Sequence, residues 1–227
     1  LIAVVIRKPG ERCKRYRLSI EGDFEIFKKA LHCLKDKETE YKSNDKVRLS
    51  MIPDELIATP HTSSSGQKEP FFVHLQIVNY GIHTWGELFN HRQALALSVF
   101  ANKVRLAYQL ILKESGDENY AKAVSTYLAF VVNRFADYNT SLTRWDNTQQ
   151  RNVGIFARQA IAMVWDYAEL NPLENIVGAF LPMLNAINIA ILKLSQTEVS
   201  HFTIVSQGTA TRLPYPNDYF DAVVTDP

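Results

Sequence analysis

Between Thr84 and Asp137, apolar residues recur at helical spacing over two long stretches with a short break between them. Leu95, Val99, Val104, Leu106, Leu110 and Ile111 form the first stripe; Val124, Tyr127, Leu128, Val131, Val132 and Phe135 form the second. A period near 3.6 sustained this long does not suit a strand, whose side chains alternate every second residue. Ser115-Gly116-Asp117 between the stripes stops the first helix. The middle of the chain is therefore committed to helices packed as a bundle. Thr84 is placed to cap a short preceding helix, with Glu87 three residues on completing a capping box.

The flanks carry other patterns. Residues 1–6 are apolar and β-branched, Pro9-Gly10 marks a turn, and residues 15–20 roughly alternate, so residues 1–20 predict a hairpin. Phe24, Phe27, Leu31 and Leu34 predict a helix over 21–42, with Glu21 and Asp23 in the first turn, where the helix dipole favours them. Pro53, Pro60, the run Thr62-Ser63-Ser64-Ser65-Gly66 and Pro70 sustain neither period and predict a loop. Residues 138–152 are polar and cap-rich, a loop or broken helix. The helical pattern resumes over 152–167, ends at Pro172, and predicts a further helix over 173–194, bent at Pro182. Residues 201–205 are β-like, and FDAVVT at 220–225 has the pattern of a buried strand. The expectation is an α+β fold, mostly α. It has a hairpin-helix segment at 1–52, a linker at 53–83, a helical domain at 84–198 and the opening of an α/β sheet at 199–227.

Composition bounds the class. With 46% apolar and 22% charged residues the chain has globular rather than disordered composition. The net charge of +1 is uninformative, but residues 1–50 hold thirteen Lys/Arg against eight Asp/Glu, a local basic excess. Cys13 and Cys33 build neither a disulfide framework nor a zinc ribbon, which predicts a reducing, cytoplasmic setting. No uninterrupted run reaches the roughly 18 apolar residues of a membrane span, so no membrane partner is expected. His61, His74, His83 and His91 lack the spacing of a helical metal pair, so no metal is expected. Both ends look cut, and the chain reads as a piece of a longer protein.

Several polar residues are candidates for contact with nucleic acid. Arg92 and Gln93 open the long helix and can touch phosphate or a base edge, or simply form a solvated first turn. Asn139, Ser141, Arg144 and Trp145 cluster between helices, suited either to stacking and hydrogen-bonding an extruded base or to capping with Trp145 as a core anchor. Arg158 and Gln159 sit in an apolar stretch, where Arg158 needs a partner such as Asp166 or Glu169. Arg12, Lys14, Arg15 and Arg17, with Tyr16 interleaved, are suited to nucleic-acid backbone or to solvent.

The last residues, QGTATRLPYPNDYFDAVVTDP, resemble the stretch leading into the D-P-P-Y signature of amino-methylating, S-adenosylmethionine-dependent DNA methyltransferases. The stretches TWGELFNHRQALALSVFANKVR (84–105), YAKAVSTYLAFVVNRFADYNTSLTRWD (120–146) and FARQAIAMVWDYAELNP (156–172) resemble successive blocks of one branch, the adenine-specific DNA methylases that carry a zinc ribbon. The similarity covers residues 84–227, and residues 1–50 fit it more loosely.

The resemblance implies that residues 199–227 begin a Rossmann-like methyltransferase sheet and that residues 84–198 are a helical insertion. It implies that Asp226 and the Pro227 carbonyl accept the two N6 protons of a flipped adenine, aiming the nitrogen lone pair at the methyl group. S-adenosylmethionine is the implied cofactor and DNA the implied partner. Two departures stand against the family pattern. All nine glycines are isolated, so no glycine-rich cofactor loop is present, and Thr209 occupies a position where such enzymes often carry an acid. These 227 residues alone are therefore expected to be inactive. A non-catalytic helical nucleic-acid or partner-binding module is the alternative, as is an RNA or cytosine-N4 amino-methyltransferase.

Overall fold

The computed structural model describes residues 3–6, 14–42, 50–57, 60–62, 68–70, 76–157, 161–197, 205, 207–209, 211–216 and 218–224. The chain divides into two units, Leu1–Ala190 and Ile191–Pro227. Among the described residues helix dominates, and the strands pair in three two-stranded antiparallel ladders. The mostly α character therefore matches the sequence.

Strands β1 (Ala3–Ile6) and β2 (Arg15–Leu18) pair with Ala3 opposite Leu18 and Ile6 opposite Arg15, the expected hairpin. Helix α1 (Glu21–Lys42) follows. Asp23 locks the two together: its carboxylate accepts from both terminal nitrogens of Arg17, at 2.6 and 2.9 Å, and from the Ile20 amide at 2.9 Å. The Arg17 hydrogen bonds, then the Ile20 amide, hold the Asp23 carboxyl down at about 2. A carboxyl depressed in the folded state stabilises the fold above its unfolded value, near 3.8, and loses that contribution as pH falls toward 2. Asp23→Asn is expected to flatten the pH dependence of stability between pH 4 and 2. Urea midpoints of both proteins across that window check it; parallel profiles would exclude the link.

Residues 53–83 do more than link. The Ile57 amide donates to His83 O at 2.9 Å, Trp85 N to Glu55 O at 3.1 Å, and Gly86 N to Pro53 O at 2.8 Å. These bonds draw residues 50–57 alongside 83–86, and Ile57, Ile77, Leu88 and Leu142 form one core cluster. Strands β3 (Pro60–Thr62) and β4 (Lys68–Pro70) pair within the same stretch. Apolar burial thus makes part of the expected linker a core element.

A one-turn 3-10 helix, Trp85–Leu88, begins where Glu87 accepts from the Thr84 amide at 2.9 Å and the His83 amide at 2.6 Å. Helix α2 (His91–Ser115) starts with a reciprocal capping box. Asn90 accepts from the amides of Arg92 and Gln93, and Gln93 accepts from the Asn90 amide. Gly116, at φ +68°, ends α2, and Asp117 caps α3 (Glu118–Tyr138) through the amides of Asn119 and Tyr120. The α2–α3 pair is the predicted helical hairpin, and α1 packs on α2. A second core cluster gathers Phe135, Leu170 and Ala179, with the Phe100 ring edge-on to Phe135 at 5.3 Å and stacked on Phe180 at 4.2 Å.

Three expectations are corrected. The described residues of 152–167 form no α-helix: β5 (Arg144–Asp146) pairs with β6 (Arg151–Val153), a single 3-10 turn covers Ile155–Ala157, and residues 161–171 are irregular. Side-chain bonds outcompete the helical ladder there, since Asn152 donates to Tyr138 O and Ala168 O, at 3.1 and 3.0 Å. The last long helix is shorter than predicted. Helix α4 runs Phe180–Ser195, so Pro182 sits in its first turn, where no intrahelical N–H is needed, and no bend is required. Residues 219–224 form no strand, and Val223 and Val224 are 68% and 95% exposed. An apolar segment becomes a strand only against a ladder partner, and the described residues offer it none. Separately, α2 is long and apolar enough to cross a membrane by length and composition alone, a test that the core helix of a soluble protein also passes.

Candidate functional site

Of the candidate residues, Asn139, Arg144 and Trp145 come together around the β5–β6 hairpin. Its register sets Arg144 opposite Val153, Trp145 opposite Asn152 and Asp146 opposite Arg151. Alternation gives the ribbon two faces. Trp145 and Asn152 share the inner face, with Asn152 buried. Arg144, Asp146 and Arg151 share the outer face, and both arginines are exposed.

Trp145 is clamped. The Tyr16 ring meets it edge-on at 6.3 Å, and the Lys14 ammonium lies 4.9 Å from its ring centre. Lys14 also donates to Gln150 O, tying β2 to the end of the turn between β5 and β6. Trp145 therefore anchors one hairpin on another, with Lys14 over its ring where a base would stack. Asn139 is buried, at 1% exposure. Its side-chain amide nitrogen, the Trp145 indole nitrogen and the Asn152 side-chain oxygen are all buried without a partner among the described residues. Burial removes Asn139 from direct contact with a large ligand.

The turn itself is ordered by Asp146, whose Oδ1 accepts from the amides of Thr148 and Gln149, at 2.9 and 3.0 Å. The Gln149 amide is the main cause that holds the Asp146 carboxyl below its ordinary range; the Thr148 amide and nearby Arg144 and Arg151 add to it. Asn147, Thr148 and Gln149 are all exposed at the tip. Sequence reasoning placed this tip and Arg151 in the 138–152 loop without singling them out, because the helical pattern from 152 onward masked the second strand.

Arg92 and Gln93 serve the fold. The Arg92 guanidinium forms a two-point pair with Glu169, at 2.9 and 2.7 Å, and lies 5.2 Å from the Phe27 ring centre. Glu169 also accepts from the Asn90 side chain at 2.9 Å. Gln93 is 1% exposed within the α2 capping box. A phosphate would have to displace the Glu169 carboxylate from Arg92. Glu169, one expected partner for Arg158, is thus engaged by Arg92. Arg158 and Gln159 lie outside the described residues, as do Arg12, Cys13, Asp226 and Pro227.

A groove of about 380 Å³ runs between α1, residues 50–54 and residues 84–94, with Tyr41, Asp54 and His91 among its lining. His91 Nδ1 is buried without a partner among the described residues, and its ring meets Phe27 at 5.5 Å. Among the described residues no group of three His, Cys, Asp or Glu side chains is arranged to hold a metal, and Cys33 is a free, exposed thiol. In the second unit, Tyr215 and Tyr219 stack at 5.1 Å and Phe220 packs edge-on to both, at 4.7 and 4.9 Å. Thr209 bridges to Arg212, and its hydroxyl lies 2.9 Å from that of Thr211.

Comparison with family models, with curated proteins and with solved structures finds no match to this chain.

Proposed function

We propose that this chain serves an S-adenosylmethionine-dependent amino-methyltransferase acting on adenine N6 in DNA, in which Asp226 and the Pro227 carbonyl hold the target amino group. One observation carries the reading: LPYPNDYFDAVVTDP at 213–227, an aromatic-rich turn and an apolar run leading into an acid followed by proline. Adenine N6 is a poor nucleophile because its lone pair is delocalised into the ring. Two fixed acceptors for its protons favour the tetrahedral nitrogen that reacts, and proline stiffens the turn that presents them. The mutual packing of Tyr215, Tyr219 and Phe220 supports the reading, since Tyr219 and Phe220 keep exposed ring surface on which a flipped base can stack. In this reading residues 220–224 gain ladder partners in a Rossmann-like sheet that covers both faces of the strand. A cytoplasmic location accompanies it.

The described residues do not fit the methyl donor. Thr209 offers a hydroxyl already close to Thr211 in place of a carboxylate, and no run of glycines forms a cradle. None of the described residues is therefore assigned a part in holding S-adenosylmethionine.

The test uses the intact gene product, duplex DNA and S-adenosylmethionine with a labelled methyl group. N6-methyladenine is the expected product, and Asp226→Ala is expected to lower the rate by about 100-fold or more. Label found as N4-methylcytosine or in RNA would favour those amino-methyltransferases instead. Residues 1–227 alone are expected to transfer nothing. A second reading, a non-catalytic helical nucleic-acid-binding module, is favoured by the helical character and by the absence of a strand at 219–224. Duplex binding by the gene product without methyl transfer would select it.

A further inference from the structure

We propose that the β5–β6 hairpin is the element that meets duplex DNA, with Arg144 and Arg151 on backbone phosphates and Asn147 and Gln149 on base edges. The inference rests on the DNA part of the function proposed above and adds the element that makes the contact.

Four features of the hairpin converge. Its two faces are divided by register: Trp145 and Asn152 turn inward, Arg144 and Arg151 outward. The two arginines sit diagonally across the ladder, a spacing within reach of long side chains. Among the described residues neither forms an ion pair, whereas Arg17, Arg92 and Arg134 are each paired with a carboxylate. The one acid between them, Asp146, has an oxygen engaged by the tip amides.

The tip carries Asn147, Thr148 and Gln149, all exposed. Asn and Gln amides present a donor and an acceptor side by side, the pattern that pairs with N6 and N7 of adenine in the major groove. A two-stranded ribbon is one of the shapes that this groove, about 12 Å wide, admits. The major groove of duplex RNA is too narrow for side chains to read, which selects DNA over RNA.

The hairpin is also held in place before binding. Trp145 is clamped between Tyr16 and Lys14, Lys14 bonds Gln150 O, and Asn152 bonds Tyr138 O and Ala168 O. Ordering the tip in the free protein lowers the entropy lost on binding.

Fluorescence anisotropy of the full chain with labelled duplex DNA, at several salt concentrations, tests this. Arg144→Ala/Arg151→Ala is expected to lower the slope of log affinity against log salt by about 2. Asn147→Ala/Gln149→Ala is expected to leave that slope unchanged and to flatten selection from a randomised duplex pool. Arg144→Lys/Arg151→Lys keeps both charges and is expected to keep the slope, which separates charge from fold. Circular dichroism of each variant is expected to match the parent, because all four side chains are exposed. No duplex binding by the parent chain, an unchanged slope in the double alanine variant, or tighter binding to duplex RNA would each overturn the inference. Its failure is separable from that of the methyltransferase reading. Read on the intact gene product, tip-independent binding with N6-methyladenine still formed sinks the hairpin alone; tip-dependent binding without methylation sinks the enzyme alone.

Discussion

Asp137→Ala is expected to destabilise the first unit by about 3 kcal/mol, because two part-buried amides each lose a hydrogen bond to a buried carboxylate. Asp137 ends α3 with its side chain 4% exposed. Its Oδ1 accepts from the Ile155 amide at 2.7 Å and the Phe156 amide at 3.1 Å, eighteen and nineteen residues away. Its Oδ2 accepts from Arg134 at 2.8 Å. Arg134 is half exposed and returns to water when the carboxylate is removed, so the amides carry the cost. Gly154 leaves no room for a substitute, since a Cβ there would lie 2.5 Å from Asp137 Oδ2. Asp137→Asn keeps one acceptor oxygen and is expected to cost less. Urea unfolding measures both; a fall in midpoint with unchanged slope is the signature of lost stability. A change under about 0.5 kcal/mol, the range of ordinary surface substitutions, would mean the clasp does not hold the 152–157 segment.

Gly178→Ala is expected to cost a similar amount, about 3 kcal/mol, by adding backbone strain to a clash. Gly178 has φ +93°, and a Cβ there would lie 2.8 Å from Cβ, Cγ and Cδ1 of Tyr138. The Tyr138 ring cannot yield freely, because it packs on the cluster of Phe135, Leu170 and Ala179. Gly116 is the internal control. It has φ +68° with nothing within 4 Å of a Cβ, so Gly116→Ala carries the backbone cost alone, about 1 kcal/mol. Thermal or urea unfolding of the pair separates the two contributions. Equal losses would show that the Tyr138 contact is soft.

The elements legible in the sequence are those built from short-range physics. The α2 and α3 stripes, the Gly116 stop and the Thr84–Glu87 box all act within one or two turns. The β1–β2 hairpin and the start of α1 at Glu21 belong to the same class. The candidate site was legible only in part. Arg144 and Trp145 stand out as a basic and an aromatic residue in a polar loop, but which of them faces out depends on register. Arg92 reads from sequence as a free cation, and only the return of Glu169 to α2 shows that it is paired.

By itself, then, the sequence determined a mostly helical chain with a basic N-terminal hairpin, because helical period and end capping are local. It also supplied the acid-proline ending at Asp226-Pro227, on which the methyltransferase proposal rests. The tertiary structure alone decided the path of residues 139–179. Asp137, Thr143 and Asn152 bond backbone groups fourteen to twenty-five residues away, and these bonds overrule a helical pattern that nearest neighbours favour. It also decided that Ile57 and Ile77 belong to the core, and that Trp145 is held while Arg144 and Arg151 stay outside. Contacts between residues far apart in sequence leave no periodic trace along it, so only the folded chain shows which groups meet.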